Sequence, residues 1–244
     1  MKTRTIEQFI DEIAKHYPPH TKVDGNLNDL EKIRFNANEC LFVWDTRLGE
    51  MVFSKGFENL LGFSDDEINL ERFVALFHPD DQEYVYRLGQ AATLHSIEKP
   101  ELNSDFCLYV SHRIKKSDGE YIKIMAQSSA HSIDQEGLIS RFLVKLSDIS
   151  FIDMTDAVQY KFLANGLDTE LFHDLVFDKN KGIFTPRELE IIKEIQKGMS
   201  NVQIADNFRI SKFTVETHRK KIMKKSDAHS AEELLLFCRR NGVI

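Results

Sequence analysis

Cysteine is scarce and badly spaced for chemistry: Cys40, Cys107 and Cys238 are the three in 244 residues. Neither a disulfide framework nor a zinc ribbon fits that spacing, and a reducing cytoplasm is the expected setting. Each cysteine lies in an apolar pattern, where a small core residue is the plain expectation. No apolar run approaches the length of a membrane span. The opening Met1-Lys-Thr-Arg-Thr-Ile-Glu leads into acidic residues rather than an apolar stretch, so a soluble chain without a secretory leader is expected. Also missing are a phosphate-cradling glycine-rich loop and a nucleophile elbow, which leaves enzymatic activity without a basis. There is no internal repeat and no low-complexity tract.

Positive charge is outnumbered in the front of the chain. Net charge is −7, yet residues 183–244 carry 12 Lys/Arg against 8 Asp/Glu, a net +4, which leaves −11 for residues 1–182. An acidic regulatory part and a basic nucleic-acid-binding part follow from that asymmetry.

The basic part is organised as short capped helices. Thr185-Pro186-Arg187-Glu188 is a helix start with a capping box and proline at the first position; Leu189, Ile192 and Ile195 then recur at helical spacing, and Gly198 stops the run. Ser200 and Gln203 start a second helix whose apolar side holds Ile204, Ala205 and Phe208. After Arg209-Ile210-Ser211, a third runs from about Lys212 to Lys225 with Val215, Ile222 and Phe213 read as buried. Ser230 and Glu233 box a fourth, Ala231 to Asn241. Two short helices joined by a tight turn match a helix-turn-helix, whose second helix enters the major groove. Between Arg209 and Lys225 stand Arg209, Lys212, Arg219, Lys220, Lys221, Lys224 and Lys225 against Glu216 alone, a cluster suited to phosphates.

The stretches Phe184-Thr-Pro-Arg-Glu-Leu-Glu, Gly198-Met-Ser-Asn-Val-Gln-Ile-Ala, Ile210-Ser-Lys-Phe-Thr-Val-Glu-Thr-His-Arg-Lys-Lys-Ile and Asn241-Gly-Val-Ile resemble the LuxR-type (GerE-like) DNA-binding domain over about a quarter of the chain. The resemblance implies a third helix reading double-stranded DNA and a fourth helping dimerisation. By motif position it assigns Glu216, Thr217 and Lys220 to base edges, and Ser200, Asn201, Lys212, Thr214, Arg219 and Lys221 to phosphates. Two positions depart from the pattern. Glu216 stands where many members have Lys, and a carboxylate accepts from cytosine N4 rather than neutralising a phosphate. Lys221 replaces a common Asn. A homodimer on a near-palindromic site is expected, since one short helix reads too few bases.

Upstream, Thr5 to Tyr17 reads as an amphipathic helix ended by Pro18-Pro19, and residues 1–35 as a helix with its connection. Cys40 to Asp45 and Met51 to Ser54 read as a hairpin around Arg47-Leu-Gly49. Short helices follow around Phe57 to Leu61, Asp65 to Ile68 and Glu71 to Phe77, then a longer one from His78-Pro-Asp-Asp to about Leu94. Period-two patterns return at Phe106 to His112, Tyr121 to Ala126 and Leu138 to Leu146, giving an α+β unit with helices on one face of a sheet. That order, with Trp44-Asp-x-x-x-Gly49, Phe57-Glu-Asn-Leu-Leu-Gly-Phe-Ser-Asp-Asp-Glu, Phe77-His-Pro-Asp-Asp, Lys116-Ser-Asp-Gly-Glu and Leu146-Ser-Asp-Ile-Ser, resembles a PAS domain over residues 36–150. The expected architecture is therefore an α+β, PAS-like antiparallel sheet with helices, followed at 183–244 by an all-α four-helix LuxR-type domain. Residues 151–182 read as a packed connector holding one more strand (Val158, Tyr160, Phe162) and a short helix capped by Asp168, with Asp178-Lys-Asn-Lys-Gly182 as a hinge.

His78-Pro79-Asp80-Asp81 is better explained as a helix start than as a metal or acid/base site. A receiver domain needs alternating strands and helices, which this chain lacks. An axial histidine for haem has candidates in His95 and His78 but no motif, and a photosensing flavin motif finds no match, so no cofactor is expected. Phe42, Trp44, Phe53, Phe57, Phe63, Phe77 and Phe106 form the candidate lining of a ligand pocket; the plainer reading is core. The function expected is a transcription regulator whose PAS-like domain takes a small-molecule or protein signal or holds a dimer. The alternative is an interaction module with a ligand-free PAS-like domain and weak or constitutive DNA binding.

Overall fold

The stretches with alternating side chains form one antiparallel sheet in the order β2-β1-β5-β4-β3-β6. Its strands are β1 (Glu39–Asp45), β2 (Glu50–Lys55), β3 (Cys107–Lys115), β4 (Tyr121–Ile133), β5 (Ile139–Asp148) and β6 (Gln159–Leu163). The structure is a computed structural model that describes residues 27–153, 155–164, 169, 172, 176 and 183–243. The chain divides into two units, Met1–Leu175 and Val176–Ile244. The expected amphipathic helix at 5–17 and the hinge at 178–182 lie outside the described residues; so does most of the short helix after Asp168, of whose apolar positions Phe172 and Val176 are described, both buried.

Between β2 and β3 run α1 (Phe57–Leu61), α2 (Leu70–Ala75) and α3 (Pro79–Glu98), with a 3₁₀ turn at Pro100–Asp105. Helix α1 starts at Gly56, whose φ of +93 suits glycine and whose Cβ, if present, would lie 2.9 Å from Glu39 O. The Asp65 carboxylate covers that start, accepting from Gly56 N at 3.0 Å and Phe57 N at 2.7 Å, a favourable charge at a helix N-terminus. Helix α3 runs one turn beyond the expected Leu94, buries Tyr84, Leu88, Ala91 and Ala92, and is capped by His78.

The strand read as part of the connector belongs to the sheet, since β6 pairs with β3 from Cys107↔Leu163 to Ser111↔Gln159. Its approach is pinned by Lys123, whose ammonium donates to Ala157 O at 2.6 Å and Thr155 O at 3.0 Å. Burial depresses the pKa of that ammonium, against the pull of Asp153. Where α3 begins, Asp81 is fully buried and takes Arg113 of β3 in a bidentate pair, Nη2–Oδ1 at 2.7 Å and Nε–Oδ2 at 3.0 Å. Arg113 N also donates to it at 3.0 Å.

The second unit consists of α4 (Pro186–Gln196), α5 (Asn201–Phe208), α6 (Lys212–Ser226) and α7 (Ala231–Arg240), around a core built on Ile191, Ile192, Ile204, Val215, Ile222 and Leu234. Every start has a Ser or Thr cap accepting from the third residue on: Thr185, Ser200, Ser211 and Ser230. Phe213 corrects the sequence reading. It is 77% exposed, because it lies about 200° round the helix from Val215, which fixes the buried stripe with Ile222.

Replacing Asp81 by Ala leaves a strand N–H without its acceptor and the Arg113 guanidinium without its bidentate partner, with only the exposed Asp156 and Asp80 carboxylates still near it, at 3.3 and 3.8 Å. The expected cost is about 3–5 kcal/mol, read as a lower urea midpoint in the fluorescence of Trp44, the single tryptophan. A cost below about 1 kcal/mol would place the pair among ordinary surface ion pairs.

Candidate functional site

The turn between α5 and α6 is closed by Arg209 in the left-handed region, φ 53, and Ser211 then caps α6, accepting from Thr214 N at 3.0 Å. With Val215, Ile222 and Ser226 buried, the helical period puts Phe213, Glu216, Thr217, Lys220 and Lys224 on the opposite, outward face. Glu216, Thr217 and Lys220, the residues expected at base edges, are all exposed there. The residues expected at phosphates fall on its two flanks, about 100° to either side: Lys212 and Arg219 along one, Thr214 and Lys221 along the other. Ser200, exposed, and Asn201, half-buried, stand apart from these at the start of α5. A reading face edged on both sides by donors and cations is the geometry a major-groove helix needs.

Several of these groups already have partners. Lys212 lies 3.5 Å from Glu216 one turn on, and the Thr217 hydroxyl donates to Phe213 O at 2.9 Å. Lys225, counted with the basic cluster, is held at 2.6 Å by the buried Glu188 of α4. Burial works against the ionised form of Glu188, but Lys225 and the Thr185 donors outweigh it and hold the carboxyl below its usual range. Lys225 thus ties α6 to α4. Sequence reasoning missed the pair because 37 residues separate its members.

Residues 182–238 match the family model described as bacterial regulatory proteins, luxR family, and residues 50–144 match the PAS fold. The chain joins a PAS fold to a LuxR-family domain. Similar proteins include an uncharacterized response regulatory protein, YgeK, of Escherichia coli K12, 49% identical over 24% of this chain and 40% of that protein. The transcriptional regulatory protein ComA of Bacillus subtilis is 35% identical over 27% of this chain and 31% of that one. The chain therefore spans well under half the length of these curated relatives. Among solved structures, the PAS domain of a Colwellia psychrerythraea protein is 18% identical, covering 51% of this chain and 96% of that one at a TM-score of 0.38.

The PAS domain has a half-open cavity of about 150 Å³ between the sheet and helices α2 and α3. Of the aromatic residues proposed to line it, Phe42, Trp44, Phe77 and Phe106 do so; Phe53, Phe57 and Phe63 do not. Phe57 is instead fully buried beside Phe42 and Phe73, and Phe63 lies under the Arg72 guanidinium. The sequence reading missed Phe73, Tyr86, His112 and Phe142, which complete the wall. His112 had a signal: it continues the Leu108, Val110 alternation toward the helices. The space lies below the roughly 300–1,000 Å³ of sites for drug-sized ligands, so it is small for haem or flavin. His78 is a helix cap, its Nδ1 accepting from Asp80 N at 3.2 Å. His95 is buried against Phe162 and Phe172. Among the described residues no cluster of His, Cys, Asp or Glu is arranged to hold a metal ion.

Burial pushes His112 down to about 4 from its ordinary 6.5, against the opposing pull of the Arg113 carbonyl and Asp81. Above 6.5 the imidazole is neutral in both folded and unfolded chains. Between 6.5 and 4 the unfolded chain binds a proton that the folded chain refuses, so stability falls as pH falls; below about 4 both bind it and the fall levels off. Over that window His112 is expected to remove about 3 kcal/mol from the PAS domain. The check is urea melts of wild type and His112→Phe from pH 7.5 to 4: the difference between their stabilities should change by about that amount. A constant difference would show that the imidazole does not titrate abnormally.

Proposed function

We propose that this chain is a sequence-specific DNA-binding transcription regulator, with α6 as its recognition helix and the PAS domain as the part that takes a signal. The observation that carries this reading is the outward face of α6, where Glu216, Thr217 and Lys220 stand between two flanks bearing Lys212, Arg219, Thr214 and Lys221. Curated relatives of the carboxyl-terminal domain are transcriptional regulatory proteins, which supports the same assignment. A homodimer on a near-palindromic site is part of the proposal, because a face of three or four side chains selects too little sequence by itself. The concave, largely apolar cavity favours sensing of a small molecule over a purely docking role for the PAS domain. Binding at the cavity acts on DNA affinity only through a difference in affinity between two arrangements of the protein.

The test is selection of sites from a random DNA library by the full chain, followed by a salt series on the selected site. Lys220→Ala should weaken selected-site binding by about 1–3 kcal/mol and relax preference at one position. Glu216→Ala should change the preferred base rather than the overall affinity. Lys221→Ala should weaken all sequences alike and lower the salt slope by about 1. If the library yields no preferred sequence, the regulator reading fails.

A further inference from the structure

The wall of the PAS cavity is apolar except at a few points, and one of them is chemically specific. His112 is 1% exposed and lines the cavity. Its Nδ1 lies 3.3 Å from Arg113 O, an oxygen that also accepts from His78 N at 3.0 Å. A carbonyl oxygen only accepts, so Nδ1 carries the hydrogen. A neutral imidazole has a single N–H, which leaves Nε2 as an acceptor. Among the described residues, nothing donates to it. The Thr93 hydroxyl, also in the wall, is committed to Gly89 O at 3.0 Å. Ser128 of β4 pairs with Leu108 of β3. Its hydroxyl and that of Tyr86, also in the wall, both donate and accept, so they do not discriminate between ligand donors and acceptors. The Trp44 indole N–H of the wall is a donor, not a second acceptor. No Asp, Glu, Lys or Arg lines the space.

Resting on the sensory reading above, we propose that this cavity takes a neutral, single-ring molecule carrying one O–H or N–H donor, and that His112 Nε2 is the acceptor that selects it. Size supports the ring: an engineered cavity of about 150 Å³ with apolar walls holds benzene and excludes water. The aromatic wall formed by Phe42, Phe73, Phe77, Phe106 and Phe142 suits edge and face contacts with such a ring. The absence of a counter-charge in the wall rejects ionised molecules, which would be stripped of water without a partner. In a fully apolar cavity a hydroxyl is a handicap, so toluene outcompetes phenol. An acceptor in the wall reverses that order.

The experiment is isothermal titration of the full chain with phenol, toluene and benzoate, for wild type and His112→Phe. Wild type is expected to bind phenol at least as tightly as toluene and to ignore benzoate. His112→Phe should move the phenol-to-toluene ratio toward toluene by about tenfold or more. Preference for toluene in wild type, a ratio unmoved by His112→Phe, or no binding of either neutral ring at millimolar concentration overturns the proposal. Should His112→Phe fail to fold, the wild-type order alone decides. DNA binding is measured beside it. Selective DNA binding with no ring bound overturns this inference and leaves the regulator standing. Ring selection without DNA binding does the reverse.

Discussion

The ion pair between Asp81 and Arg113 ties the helical layer of the PAS domain to its sheet. A carboxylate with no exposed surface is tolerable only if its charge is matched and its lone pairs are used, and here two guanidinium nitrogens and a strand N–H do both. Hydrogen bonding to Asp81 in turn holds the Arg113 guanidinium more firmly in its charged form. The pair locks the first turn of α3 to β3, beyond the stretch of that strand that β6 covers. At the same residue the backbone carbonyl takes the His78 N–H and the His112 Nδ1. One position on β3 therefore sets where the helix begins, how the sheet meets it, and which nitrogen of His112 is left toward other partners.

A different economy holds the LuxR-family domain together. Its helices are eight to fifteen residues long, short enough to be marginal in isolation. Their stability comes from caps at each start and from burying one apolar stripe each. Glu188 joins these devices. It completes the box at Thr185 through a 2.7 Å bond to Thr185 N and receives Lys225 from the far end of α6. Tying α6 at its last turn to the first helix of the domain holds its outward face rigidly within that domain, which is what the proposed readout of base edges requires.

How much of this was legible follows the distance over which each feature is encoded. The caps involve residues three apart, and all four capping residues were readable; at Ser230 the expected box is altered, because the Glu233 carboxylate accepts from His229 N instead of Ser230 N. The sheet strands were readable from period two; Glu216, Thr217 and Lys220, assigned by motif position, are exposed, and their contact with bases belongs to the proposal. What failed was nonlocal or angular. The Glu188–Lys225 pair and the joining of β6 to β3 link positions tens of residues apart, and no local pattern encodes them. Phe213 was counted as buried by residue type, although its angle from Val215 already excluded it. The cavity wall was half legible: Phe42, Trp44, Phe77 and Phe106 sit on strands or at element ends with aromatic neighbours. Phe73 meets them only after α2 folds back over the sheet, and Phe142 only once β5 pairs with β1, opposite Trp44 and almost a hundred residues on. Phe57, equally aromatic, packs on the far side of Phe42 and shows that composition alone does not distinguish wall from core.

The size of the cavity also bounds what a signal there can achieve. Small ligands reach at best about 1.5 kcal/mol per non-hydrogen atom, so a molecule of one ring has about 10 kcal/mol of binding free energy at the extreme. Only the part that differs between two arrangements of the protein shifts their populations. Couplings between sites are commonly about 1–3 kcal/mol, equivalent to a change of roughly 5- to 150-fold in DNA affinity. A neutral cavity keeps the signal independent of the acidic character of residues 1–182, whose net charge is −11 against +4 for the remainder. That charge disfavours contact of the front of the chain with phosphates and leaves the attraction to DNA with the basic residues on and beside α6. A ring entering the cavity changes no net charge. Under the proposed sensing role, its influence on DNA binding would travel through packing of the aromatic wall, not through the long-range field.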